Sequence, residues 1–148
     1  PHCGAFAVIR LCTYFLAYFC VAFCIRFSPR VGLCWTLALV LERGLSGLAV
    51  AAFPMAKNTG LAHTFATAAD RESVQKILIV LSVLLAAALI ALGGGALVAA
   101  ALLVLWRYHH VAVKEFGGIT GDLAGWFLQK AEFWMLAALA ASQWGGIL

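Results

Sequence analysis

Apolar residues run along this chain in long blocks, broken by short polar and glycine-rich stretches. Five blocks can be placed, at about residues 5–25, 31–53, 76–92, 96–113 and 123–144. The longer ones reach the roughly 20 residues that a helix needs to cross the hydrocarbon core of a bilayer. The third and fourth are separated only by Gly93-Gly94-Gly95. Joined as one helix they would extend about 50 Å, against a core about 30 Å thick, so a hairpin at the glycines is expected. The pattern predicts an all-α fold, a polytopic transmembrane helix bundle of about five spans, forming one integral-membrane domain over residues 1–148.

Composition agrees with that pattern. The chain is 65% hydrophobic and 11% charged, where soluble domains run about 45–50% and about 25%. Its mean hydropathy is +1.02. Disordered, collagenous, coiled-coil and disulfide-scaffold classes are excluded. The net charge of +4 does not point to nucleic acid, because the basic residues stand singly at the ends of apolar runs, where the positive-inside rule puts them. With five spans, Arg10, Lys57, Arg71, Lys76, Arg107, Lys114 and Lys130 fall on one side, Arg26 and Arg30 on the other, and Arg43 inside a span. The first side is therefore expected to be cytoplasmic. No signal peptide is visible. Cys3, Cys12, Cys20, Cys24 and Cys34 form no CxxC pair and read as small hydrophobes.

The sharpest local pattern is Gly117-Gly118-Ile119-Thr120-Gly121-Asp122, just before the last block. Glycines allow positive φ and can turn successive N–H groups toward an anion. The helix that follows adds free N–H donors and the positive end of its dipole. Thr120 or Asp122 could cap that helix, and Asp122 could instead hold a hard cation beside a phosphate. A plain glycine turn with an acidic cap fits the spacing as well. Asp122, Gly125, Gln129 and Glu132 then fall on one face, a small, polar and acidic stripe unsuited to lipid. Small-residue packing accounts for Gly125 but not for Glu132, which favours a site.

Glu42 and Arg43 lie midway through the second block. Neighbours on a helix point about 100° apart, so each can meet a different partner, with Glu132 a candidate for Arg43. Either a structural ion pair or a phosphate-binding Arg43 at the floor of a cavity follows. Lys57 and His63, in the loop after Pro54, could contact an anion or simply be solvated. His109 and His110 sit beside Trp106 and Tyr108 as a membrane-interface cluster would. There is no nucleophile elbow, no Ser/His/Asp set and no phosphate-binding Walker loop.

Together these motifs resemble the carboxy-terminal part of the cobalamin synthase family, the membrane enzymes also called adenosylcobinamide-GDP ribazoletransferases. Pro1-His2-Cys3-Gly4-Ala5-Phe6 looks like the tail of a family Asp-[Ser/Pro]-[Arg/His]-x-Gly motif. Arg43, then Pro54-Met55-Ala56, Gly60-Leu61-Ala62 and Phe65, is similar to its Arg, Pro-x-Ala and Gly-Leu-[Gly/Ala] block. Gly117 through Asp122 with Gly125 and Glu132 matches its Gly-Gly-x-Thr-Gly-Asp-x-x-Gly ending and later Glu, the most specific of the three. Ala62 and Gln129 are small departures. The resemblance covers essentially the whole chain, while about the first two-fifths of the family's length, with an Asp-Gly-x-x-Asp segment thought to serve Mg²⁺, is absent. A chain without that segment is expected to be inactive.

The resemblance implies transfer of adenosylcobinamide phosphate from adenosylcobinamide-GDP to α-ribazole or its 5′-phosphate, releasing GMP, late in cobalamin biosynthesis at the cell inner membrane. It implies Mg²⁺ as cofactor. Asp122 would hold the metal or orient the attacking hydroxyl; Gly118, Thr120 and Gly121 would hold phosphate oxygens; Arg43, Lys57 and His2 would offset pyrophosphate charge; and Glu132 would join the substrate site. A homo-oligomer is left open, and no nucleic-acid partner is expected. The rival readings are a non-catalytic membrane or transporter fragment, and a phosphotransferase for CDP-activated alcohols. The second needs a dense multi-Asp motif, and this chain has only Asp70 and Asp122.

Overall fold

The computed structural model describes residues 4–56 and 71–148. Every regular element among them is an α-helix: α1 Ala5–Phe23, α2 Pro29–Ala52, α3 Arg71–Ala91, α4 Gly95–Phe116 and α5 Gly121–Trp144. The five helices coincide with the five apolar blocks, and α1 to α4 are each long and apolar enough to cross a membrane. The last helix is as long as α2 but less apolar, so it is not among those four. Asp122, Lys130 and Glu132 lower its hydropathy, and it can carry them because it runs through the middle of the bundle, against α1, α2 and α4.

Several helix ends have a visible local cause. Ser28 caps α2 by accepting from the Val31 N–H at 3.2 Å, with Pro29 at the first helical position. The glycine hairpin between α3 and α4 is formed as expected: Gly93 adopts φ +88° and the Gly94 N–H bonds the Leu89 carbonyl at 2.7 Å. α3 is described from Arg71, five residues ahead of its apolar run, and its polar first turns have partners. Glu72 pairs with Lys76 at 3.3 Å, and Arg71 and Gln75 both donate to the Ala51 carbonyl at the end of α2.

The core is a single apolar cluster shared by α2, α4 and α5, with α3 adding Leu89. Tyr108 of α4 stacks on Phe127 of α5, ring centroids 5.1 Å apart, and both are buried. Glycines let α2 and α3 approach closely: a Cβ at Gly44 would stand 3.3 Å from Ser82 Oγ, and one at Gly47 3.3 Å from Leu78. α1 buries no residue completely and rests chiefly on α5. At the far end, the Arg26 N–H and carbonyl are clamped by the Gln143 side-chain amide at 2.9 and 2.7 Å, and Arg30 donates twice to the Leu92 carbonyl.

Candidate functional site: the docked glycine loop

α4 ends in a left-handed glycine cap: Gly117 is at φ +69°, its N–H bonds the Val113 carbonyl at 3.2 Å, and the Gly118 N–H bonds the Ala112 carbonyl at 2.9 Å. The chain then docks on the segment after α2. The Ile119 N–H donates to the Pro54 carbonyl at 2.8 Å, and the Ala56 N–H donates to the Ile119 carbonyl at 3.0 Å, a one-rung parallel bridge between Met55 and Ile119. Ile119 is buried. Two motifs more than sixty residues apart in sequence are thereby fastened together.

Gly118 makes the docking possible. Its φ is +154°, and a Cβ there would lie 2.5 Å from the Ala56 nitrogen and 2.6 Å from the Met55 carbon and the Pro54 oxygen. All three are backbone atoms, so no side-chain rotation relieves the overlap. The N–H of Gly118 is engaged with Ala112, so the donors left for an anion are those at the start of α5.

At that start, Thr120 is the N-cap and its Oγ1 accepts from the Leu123 N–H at 3.3 Å, which settles the choice between Thr120 and Asp122. Asp122 lies exposed in the first turn, with no ion pair or hydrogen bond among the described residues. Gly121 is exposed beside it, and a Cβ there would meet nothing within 4 Å. Two N–H groups in the first turn, of Gly121 and Asp122, point beyond the helix with no partner among the described residues. A hydroxyl, two free donors and a free carboxylate thus sit on one exposed helix end.

The rest of the polar stripe on α5 faces α1. Tyr14 Oη donates to the Gln129 carbonyl, and Tyr18 Oη donates to Glu132 Oε1, both at 3.2 Å. Neither tyrosine stood out in the sequence, although their spacing of four places them on one helix face. Arg43 does not reach Glu132. Its Nε lies 3.4 Å from Oε1 of its neighbour Glu42, because a long arginine side chain can fold back across the 100° between adjacent positions. The Arg43 side chain is 61% exposed while that of Glu42 is fully buried. Neither Glu42 oxygen accepts a hydrogen bond among the described residues. Glu42 also lies within electrostatic reach of Glu132, Tyr14 and Tyr18. This carboxylate is the site feature that sequence reasoning undervalued; its only signal was a charge at mid-span.

Lys57, His63 and His2, with the Gly60-Leu61-Ala62 block, lie outside the described residues. His109 packs edge-on against Phe53 at 4.4 Å and His110 stacks with Trp106 at 6.1 Å, which fits an interfacial role. Among the described residues no three His, Cys, Asp or Glu side chains gather as metal ligands. Cys12, Cys20 and Cys24 are exposed on the first helix and its end, Cys34 is buried in the core, and all four are free.

Comparison with known proteins places the docked motifs in context. A family model described as Cobalamin-5-phosphate synthase matches residues 1–140. The adenosylcobinamide-GDP ribazoletransferase of Lachnoclostridium phytofermentans (strain ATCC 700394 / DSM 18823 / ISDg) is 37% identical over 143 residues, covering 95% of this chain and 53% of that protein. The chain therefore spans about half the length of the curated relative it matches. No solved structure matches it significantly. With the family's ending motif folded as a capped, docked loop and its Pro-x-Ala block bound to that loop, the chain belongs to the Cobalamin-5-phosphate synthase family.

Proposed function

We propose that this chain forms the carboxy-terminal half of a membrane transferase that joins adenosylcobinamide-GDP to α-ribazole or its 5′-phosphate. The relative bears the name of that activity, and the reading rests on one observation above all. The glycine loop is fastened to Pro54–Ala56 in a way only glycine permits, and it presents the free Asp122 carboxylate and the open first turn of α5.

In the reaction, a ribazole hydroxyl attacks the phosphorus attached to cobinamide. The new P–O bond forms as the bond to the GMP oxygen breaks, GMP leaves with that electron pair, and the hydroxyl loses its proton. Such a step depends on positioning and charge neutralisation. The Gly121 and Asp122 N–H groups bind phosphate oxygens at the positive end of the helix dipole. The Thr120 hydroxyl keeps its proton free to donate while its oxygen caps the helix. Asp122 orients the attacking hydroxyl or contributes to a metal site.

Mg²⁺ suits this donor set. It is held in phosphate-transfer sites by one or two carboxylates, with waters and substrate phosphates completing the octahedron, and Asp122 is an unpaired, exposed carboxylate. When bound there, the ion would neutralise charge developing on the pyrophosphate. Lys57, His2 and Arg43 are the further cations of this reading, and Glu132 braces α1 through Tyr18 beside the site. The basic residues gather at the loop end, which supports an inner-membrane protein with that end in the cytoplasm, where nucleotide-linked substrates are found. Lipid covers the outward apolar side chains of α1 and α3.

The test is Asp122→Asn in a full-length enzyme carrying this segment. Coupling of adenosylcobinamide-GDP to ribazole is expected to fall on the order of 100-fold or more, with membrane insertion unchanged. Near-normal turnover would remove Asp122 from the mechanism.

A further inference from the structure

Between α4 and α5 lies an outward-opening cavity of about 530 Å³ that the docked loop does not use. Ala100, Val104 and Arg107 of α4 line one side of it, and Trp126, Lys130 and Trp134 of α5 line the other. Arg107 is exposed and Trp134 is 55% exposed, so the cavity opens away from the core. Neither cation has an ion pair or a hydrogen bond among the described residues.

The arrangement along the helix axes is ordered. Arg107 stands nine residues before the end of α4 and Lys130 nine residues after the start of α5. In antiparallel neighbours this puts both at about 14 Å from the loop end, at 1.5 Å per residue. Ala100, sixteen residues before Phe116, is about 24 Å from that end by the same rise. Trp126, five residues into α5, stands about 8 Å from the loop end by the same rise, so the cations lie between it and an apolar wall that continues toward the middle of the bundle. Two uncompensated cations side by side repel each other, and an anion between them removes that repulsion. Long Arg and Lys side chains reach from within a span toward the headgroups, and basic pockets between spans hold anionic headgroups.

We propose that this groove binds an anionic phospholipid of the leaflet nearest the loop end. Its phosphate lies between Arg107 and Lys130, and its upper acyl chain lies against Ala100, Val104 and Trp134. The occupant is an amphiphile rather than a free anion because the apolar part of the cavity continues below the charges, in the direction an acyl chain takes. The site stands apart from the transferase reading, so neither depends on the other.

The experiment reconstitutes the chain in nanodiscs of phosphatidylcholine and phosphatidylglycerol, extracts it in mild detergent, and counts retained lipids by native mass spectrometry. The wild type is expected to keep phosphatidylglycerol in preference to phosphatidylcholine. Arg107→Gln with Lys130→Gln should lower that retention about thirtyfold, and the swap Arg107→Lys with Lys130→Arg should preserve it. Ala100→Trp fills the apolar end while leaving the cations in place, and should also release the lipid. Four results would overturn the proposal. The wild type could hold both lipids equally, leaving an apolar groove without charge recognition. Retention could be unchanged in the double glutamine variant. Retention could survive Ala100→Trp yet be competed away by millimolar inorganic phosphate, marking a free-anion site. Finally, the wild type could retain no lipid, which would mean that protein covers the groove.

Discussion

Gly118→Ala tests whether the docked loop is a structural necessity. The new Cβ would stand 2.5 Å from the Ala56 nitrogen and 2.6 Å from two further backbone atoms. Ordinary contact needs about 3.4 Å or more, so the Pro54–Ala56 segment must retreat by nearly an ångström. That displacement breaks the Ile119–Pro54 and Ala56–Ile119 hydrogen bonds, now 2.8 and 3.0 Å, each worth about 0.5–1.5 kcal/mol net. Holding alanine at φ +154° adds about 1–3 kcal/mol, for a total of roughly 2–6 kcal/mol. The control is Gly117→Ala, where φ is +69° and a Cβ would meet nothing within 4 Å. That change costs only the left-handed penalty of about 1–2 kcal/mol. Hydrogen exchange at the Ala56 and Ile119 amides in detergent micelles reads the difference. Protection should drop about thirtyfold or more in Gly118→Ala, since 1.4 kcal/mol is tenfold, and should remain near wild type in Gly117→Ala once global stability is subtracted. Equal loss in the two variants, or unchanged protection in Gly118→Ala, would refute the argument.

Thr120→Ala removes the cap on the Leu123 N–H and should cost about 1 kcal/mol, while Thr120→Ser stays within a few tenths; thermal unfolding of the purified chain distinguishes them. Arg43→Leu leaves the buried Glu42 carboxylate without its ion-pair partner and should destabilise by about 1–3 kcal/mol. Adding Glu42→Gln should restore most of that loss, and a double-mutant cycle with no coupling would show that the pair does nothing for the fold. Tyr18→Phe deletes the hydrogen bond to Glu132 and should loosen α1 by about 1–2 kcal/mol, seen as faster proteolysis at the α1–α2 turn; an unchanged cleavage rate would count against it.

The apolar runs disclosed all five helices because lipid-compatible sequence has few other folds open to it. Their ends were harder to read. Arg71 and Gln75 in the first turns of α3 reach back to the Ala51 carbonyl, a contact with no trace in the local pattern. The glycine loop was legible as a turn and as a family motif, but the reason for Gly118 was not. That reason is the backbone of Pro54–Ala56, which sequence distance hides. The pairing of Arg43 was misjudged because helix geometry fixes the Cβ directions, 100° apart, and not the reach of a six-atom side chain. Glu132 was rightly set apart as unsuited to lipid, yet its partner is a tyrosine hydroxyl, a group whose helix otherwise reads as plain apolar span.

The charges out of place for a lipid-facing helix share a level. Glu42 and Arg43 lie ten and nine residues before the end of α2, Arg107 nine before the end of α4, and Lys130 and Glu132 nine and eleven after the start of α5. At 1.5 Å per residue all five fall about 14–17 Å from the loop end. The helix ends themselves are aligned, since Pro54 bonds Ile119 and Arg71 bonds Ala51, so the equal distances describe a real belt. Ser82, eleven residues into α3, belongs to it, and its hydroxyl is buried beside Gly44. Below the belt the bundle is held by apolar packing. Above it the same core continues through Leu45, Ala49, Tyr108, Phe127, Ala112 and Ile119, and polar contacts join it: the Ile119 bridge, the Thr120 cap, and the Arg71 and Gln75 bonds to α2. The loop end is thus fastened twice, by apolar packing and by backbone hydrogen bonds, so a change such as Gly118→Ala that breaks the second leaves the first to hold the spans in register.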